Sequence, residues 1–241
     1  MENEIKKIKK RIFIFFVFLQ KIFVKMNIDK IINKYFESSS LPNIEVFDNE
    51  NIFAVYSDII NILKNNPEIE LSILQVLSYC LYEVLDNVLT HSSKNNGTIF
   101  LHYQAKESTI KILIADDGIG IQKSLSENEL YKNISEKEAI HKCIEDKVTD
   151  GKGMGFGLYS TLCLIRNAGI RFEIHSGKHI LISDGKSEIV KECEEWQGTI
   201  IYIELHSNIE INPNAVLEYR TDIEDSFNEN FLDTEELEKL W

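Results

Sequence analysis

The sequence predicts an α+β fold, a two-layer α/β sandwich whose sheet is mixed but mostly antiparallel. Three observations carry this expectation. A segment from 67 to about 91 has helical apolar spacing and no Gly or Pro after Pro67. Apolar segments at about 98–104 and 109–115 follow it, the second alternating Ile110, Ile112 and Ile114 on one face. A second helix at about 156–168 and a late strand at about 199–205 complete a mixture of helices and antiparallel strands around one core.

Along the chain, residues 6–11 are basic and residues 12–19 form a continuous apolar run, too short to span a bilayer as a helix. Three readings fit residues 1–25: upstream sequence or an unstructured arm ahead of a true start at Met26, peripheral membrane contact, or a signal peptide without a small-residue cleavage site. Residues 27–50 read as a helix and a short extended piece around 44–47, and 51–65 as an amphipathic helix. Asn66-Pro67 predicts a helix restart, because proline at the first helical position gives up only an orphan N–H. Residues 122–150 read as loop with helical patches, and 171–183 as a hairpin around Ser176-Gly177. The tail, 207–241, sets ten acidic residues against Arg220 and Lys239 and reads as a solvated or partner-covering extension.

Composition bounds the function. The 241 residues are 44% hydrophobic and 27% charged, an ordinary globular mixture. A formal charge of −13 argues against a general nucleic-acid binder. It leaves room for a small nucleotide, which needs only a local site. Cys80, Cys143, Cys163 and Cys193 lie far apart with no CxxC pair, as expected of reduced thiols in a cytoplasmic protein.

Three short patterns carry chemistry. Glu83, Asn87 and His91 recur every four residues and border the apolar face formed by Ile73, Leu77, Cys80, Val84 and Val88, where polar groups need partners. Tyr82, Asp86 and Thr90 fall on the opposite, solvated side. Helix capping by His91 and chance placement of the other two is the plainer reading. The strand 110–115 runs into Asp116-Asp117-Gly118-Ile119-Gly120-Ile121, which is either a turn or a place where two glycines open the backbone to a ligand. Gly151-Lys152-Gly153-Met154-Gly155-Phe156-Gly157-Leu158 leads into a helix, so its backbone N–H groups and Lys152 suit an anion.

In this order the patterns resemble the gyrase, heat-shock-chaperone, histidine-kinase and mismatch-repair (GHKL) ATPases. Glu83-xxx-Asn87-xxx-His91 looks like their N box and Asp116-Asp117-Gly118-Ile119-Gly120 like their DxGxG box. Gly153-Met154-Gly155-Phe156-Gly157-Leu158 looks like their GxGxGL box, and Gly198-Thr199 is similar to a late Gly-Thr pair. The resemblance covers about 70–205 and implies the Bergerat ATP-binding fold: a core at 67–206 with an ATP lid at 122–152, preceded by an N-terminal part at 26–66. It also implies roles. Asn87 would ligate Mg²⁺ and Asp116 would accept a hydrogen bond from the adenine amino group. Gly118, Gly120 and Ile121 would line the base and Thr199 would assist. His91, Lys152, Gly153, Met154, Gly155, Phe156, Gly157 and Leu158 would meet the phosphates, and Glu83 would act as general base.

No histidine precedes His91, so the sequence lacks the phosphoacceptor of a conventional histidine kinase. About 35 residues follow the last strand, too few for the transducer domains of the larger members. The resemblance is strongest to stand-alone modules such as the anti-sigma serine kinases. It implies ATP and Mg²⁺ as ligands and a small regulatory protein, STAS-like or sigma-factor-like, as partner, with a homodimer left open. The lid is longer than in a minimal serine kinase. Enzyme and nucleotide-gated switch both remain open, Glu83 favouring the enzyme.

Overall fold

The computed structural model describes residues 28–36, 42–152, 158–159, 161 and 170–210. The 1–25 arm, most of the 156–168 helix and all but the first residues of the acidic tail lie outside them. In chain order the elements are α1 (Ile28–Tyr35), β1 (Asn43–Asp48), α2 (Ile52–Lys64), α3 (Leu71–His91), β2 (Asn96–Gln104), β3 (Thr109–Ala115), α4 (Ile121–Leu125), α5 (Glu136–Lys142), β4 (Arg171–Ser183) and β5 (Glu188–His206). The strands form one sheet in the order β1-β2-β3-β5-β4, and all four pairings are antiparallel.

Helices α2 and α3 cover one face of this sheet. Ile59, Leu63, Ile73, Leu77, Val84 and Leu85 from the helices share a core with Ile99, Ile112, Ile114, Phe172, Ile174 and Ile201 from the strands. The alternation expected of β3 holds: Ile110, Ile112 and Ile114 point into this core. Leu113 and Ala115 point the other way, into a smaller cluster with Phe100, Ile200 and Tyr202. That outer cluster is closed by Ile31, Tyr35 and Phe36 from α1 and the residue after it, which adds partial cover beyond the two expected layers. A strand covered on both faces becomes almost wholly apolar, which explains the sequence of β3. No helix among the described residues is long and apolar enough to cross a membrane.

Two boundaries differ from expectation. The long helix begins at Leu71 rather than 67, because residues 66–70 form a turn. Ile69 N–H donates to Asn66 O at 3.1 Å, and Glu70 N–H donates to Ser207 O at 2.9 Å, tying this turn to the chain after β5. Residues 171–183 are one strand, not a hairpin. Gly177, at φ +60°, is a register irregularity within β4, and the chain reverses at Asp184-Gly185-Lys186-Ser187. The late strand accordingly begins at Glu188, well before 199. Of the side chains expected on the solvated side of α3, Asp86 is exposed, but Tyr82 packs on the core and meets Tyr56 edge-on at 5.7 Å.

Phe47 and Gly97 are cross-strand partners in β1 and β2. A Cβ on Gly97 would lie 2.4 Å from the Phe47 ring and 2.8 Å from Val88 Cγ1. Gly97→Ala is therefore expected to overpack the core and cost about 1–3 kcal/mol in urea denaturation. A neutral effect would contradict this packing.

Candidate functional site

The patterns meet where the end of α3, the end of β3 and the middle of β5 cross. Ser92, the buried residue capping α3, accepts a hydrogen bond on its carbonyl from Ile119 N–H at 2.9 Å. A Cβ on Gly118 would lie 2.2 Å from that same carbonyl, so only glycine fits. β3 delivers Asp116 into this crossing. Its N–H donates to Thr199 O at 3.0 Å, its Oδ1 accepts from Gly118 N–H at 2.7 Å, and its carbonyl accepts from Trp196 Nε1–H at 3.2 Å. Gln197 Nε2 donates to the Gly118 carbonyl.

Asp116 is 2% exposed. Burial pushes its carboxyl up to about 6, against the pull of the Gly118 and Thr199 backbone N–H groups. At Gly118 and Gly120 the protein's own atoms occupy the side on which a side chain would project. Ser92 and Asp116 fill the space beside Gly118, and Ser176 Oγ and Gly198 O fill that beside Gly120. The half-buried Ile121 donates its N–H to Ser176 Oγ at 3.0 Å, which fixes the start of α4.

Along α3, Glu83, Asn87 and His91 are half-buried as their spacing predicts. The Asn87 side-chain nitrogen is buried and has no hydrogen-bond partner, an orphan of the kind that calls for a ligand. Among the described residues no group of three or more His, Cys, Asp and Glu gathers to hold a metal.

His91 and Lys152, expected beside phosphates, both face Asp150. His91 Nδ1 lies 2.7 Å from Asp150 Oδ2, and Ser124 Oγ–H donates to the same oxygen at 2.7 Å. Lys152 N–H donates to Asp150 Oδ1 at 2.9 Å, while Lys152 Nζ pairs with Glu127 at 2.8 Å and stands 3.8 Å from Asp150. Burial alone would raise the Asp150 carboxyl. The hydrogen bonds from His91, Lys152 N–H and Ser124 outweigh it and hold the carboxyl below its usual range. This clasp sews both ends of the 122–152 segment to α3. Between the ends, α5 starts with a capping box from Ser135 and Glu138, and it buries Ala139 and Ile140. Glu136 accepts from Lys178 N–H at 3.1 Å, holding α5 against β4.

Gly153, Met154, Gly155, Phe156 and Gly157 lie outside the described residues. Leu158 is helical, half-buried and packed against the main core. Ser92, Ser124, Asp150, Trp196 and Gln197 went unmarked in the sequence, and Ser176 was marked only as part of a hairpin. Trp196-Gln197 directly precedes Gly198-Thr199 and Asp150 adjoins Gly151, so adjacency was an available signal. Ser124 and Ser176 join the site through contacts 26 and 55 residues away in the chain, which no local pattern shows.

Two outcomes follow from these carboxylates. Because the folded pKa of Asp116 is raised from 3.8 to about 6, its contribution to stability is complete below about pH 4 and is lost as pH rises through about 6. Asp116→Asn, compared with wild type by urea denaturation, should gain on the order of 2–3 kcal/mol between pH 4 and pH 7. Parallel pH profiles would contradict this. Asp150→Ala should speed hydrogen exchange at least tenfold in 121–152 and leave β2 and β3 unchanged. Unaltered exchange there would show that the clasp does not hold the segment.

A family model described as histidine kinase-, DNA gyrase B- and HSP90-like ATPase matches residues 74–209. A search of curated proteins returned no match. The matched region takes in nearly all of α3, four of the five strands, the clasped 122–152 segment and Gly198-Thr199. The antiparallel sheet and its helices are those of the α+β Bergerat fold. With more than half of its 241 residues matched and its three motif regions in family order, the chain belongs to the histidine kinase-, DNA gyrase B- and HSP90-like ATPases, a family of ATP-binding domains.

Proposed function

We propose that this protein binds ATP with Mg²⁺ and transfers or hydrolyses the γ-phosphate, acting on a small regulatory protein of STAS-like or sigma-factor-like kind. The observation that carries the reading is Glu83, one helical turn before Asn87 on the same half-buried side of α3. The Asn87 side-chain nitrogen, a buried donor without a partner, supports an acceptor on a ligand at that turn, and an amide oxygen is the kind of hard donor that Mg²⁺ takes. Asn87 would hold Mg²⁺, which when bound would supply positive charge to offset the phosphates. Asp116 would select adenine by accepting from its amino group, with Thr199 beside it. Gly153, Gly155 and Gly157 would cradle phosphates through their N–H groups, the 122–152 lid covering them. Glu83 would take the proton from the attacking water or hydroxyl. The three described cysteines are free thiols, which suits a cytoplasmic setting.

The clasp at Asp150 favours a second reading, a nucleotide-gated switch with negligible turnover. His91 Nδ1 holds Asp150 and Lys152 Nζ pairs with Glu127, so a phosphate that drew on either side chain would pull on the contacts of the lid and couple nucleotide binding to its movement. A partner surface exposed or hidden by the lid would then respond to ATP.

Incubation with γ-labelled ATP and Mg²⁺, alone and with candidate regulatory proteins, separates the readings. Label on a protein marks a kinase, free phosphate marks an ATPase, and ATP-dependent partner capture without either marks the switch. Glu83→Gln should lower turnover about 100-fold or more while leaving ATP affinity within a few-fold. Unchanged turnover would remove Glu83 from the chemistry.

A further inference from the structure

Strands β4 and β5 pair regularly from Arg171↔Glu204 to Ser176↔Thr199, and again from His179↔Glu192 to Ser183↔Glu188. Between these stretches Gly177 faces Trp196. One step along β4 thus matches three along β5, and Gln197 and Gly198 are extruded from the ladder. A bulge gives up ladder hydrogen bonds, and bulges beside functional sites serve to re-aim side chains.

Trp196, Gln197 and Gly198 converge on one segment. Trp196 Nε1–H reaches the Asp116 carbonyl at 3.2 Å, and Gln197 Nε2 reaches the Gly118 carbonyl. Gly198, at φ +93°, lets the two backbones approach so closely that a Cβ would lie 2.3 Å from Asp116 O. The bulge is itself braced, since Ser176 Oγ–H donates to Gly198 O at 2.8 Å. The Trp196 ring is partly buried against the outer apolar cluster, which anchors its N–H.

We propose that Trp196 and Gln197 are positioning residues for base selection, holding the 116–118 backbone so that the Asp116 carboxylate admits a 6-aminopurine and rejects a 6-oxopurine. This rests on the reading of Asp116 given above. A carboxylate facing a 6-amino group gains a hydrogen bond. Facing a 6-oxo group it sets acceptor against acceptor, which is costly in a buried site. The penalty holds only while the carboxylate cannot turn aside. Loosening the segment therefore erodes discrimination before it erodes overall nucleotide affinity.

The test is calorimetric titration of ATP and of inosine triphosphate, each with Mg²⁺, into the full chain as wild type, Trp196→Phe and Gln197→Ala. Phenylalanine keeps the ring contacts and removes the N–H donor. The preference of the wild type for ATP should fall at least tenfold in each variant, with the urea midpoint unmoved. Gln197→Ala keeps the proposal testable should Trp196→Phe fail to fold. An unchanged preference, or an equal loss for both nucleotides, overturns it. A wild type that binds both nucleotides equally removes the Asp116 reading, and the proposal falls with it.

Discussion

Burying a carboxylate is costly, and the centre of this protein is arranged around one. Asp116 sits at 2% exposure where the ends of α3 and β3 meet the middle of β5. Its backbone N–H and carbonyl are both bound by β5, and its carboxylate is drawn on mainly by the backbone N–H groups of Gly118 and Thr199, with Asp117 and Lys94 acting more weakly. Side-chain counter-ions would leave the group fixed but spent. Backbone donors fix its direction and leave its charge only partly offset, which is why the carboxyl rises to about 6. The close approach of Ser92, Gly118 and Gly198 follows from the same need, since three backbones cannot cross there with side chains between them.

A second buried carboxylate, Asp150, is treated in the opposite way. It takes hydrogen bonds from His91, Ser124 and Lys152 N–H and is held below the usual carboxylate range. Two acids of one site whose environments push them apart serve different ends. Asp116 carries a carboxyl that burial raises, while the hydrogen bonds on Asp150 join both ends of the 122–152 segment to α3.

Much of this was legible in the sequence, for identifiable reasons. The face of α3 carrying Glu83, Asn87 and His91 follows from a four-residue repeat, and the strand 109–115 from strict alternation. Family membership followed from the order of weak motifs. Long-range demands were not legible. Pro67 promised a helix start, but the Glu70 N–H bond to Ser207 made a turn there instead. Ser176-Gly177 promised a reversal, but the bulge that braces Asp116 uses that glycine inside a continuous strand. At Gly118 and Gly120 the side on which a side chain would project is taken by other parts of the protein. In each case the local signal for an irregular backbone was sound, and a distant partner decided its purpose.

On the proposed function, the buried Asp116 carboxylate recognises the base. ATP affinity measured from pH 5 to pH 8 in wild type and in Asp116→Asn tests it most directly. Phosphate ionisation of ATP affects both proteins alike and cancels in their ratio. The ratio of wild-type to variant affinity should be constant above about pH 7 and fall towards tenfold per unit below about pH 6, as the carboxylate takes up its proton. A ratio that stays level across the whole range would contradict the account.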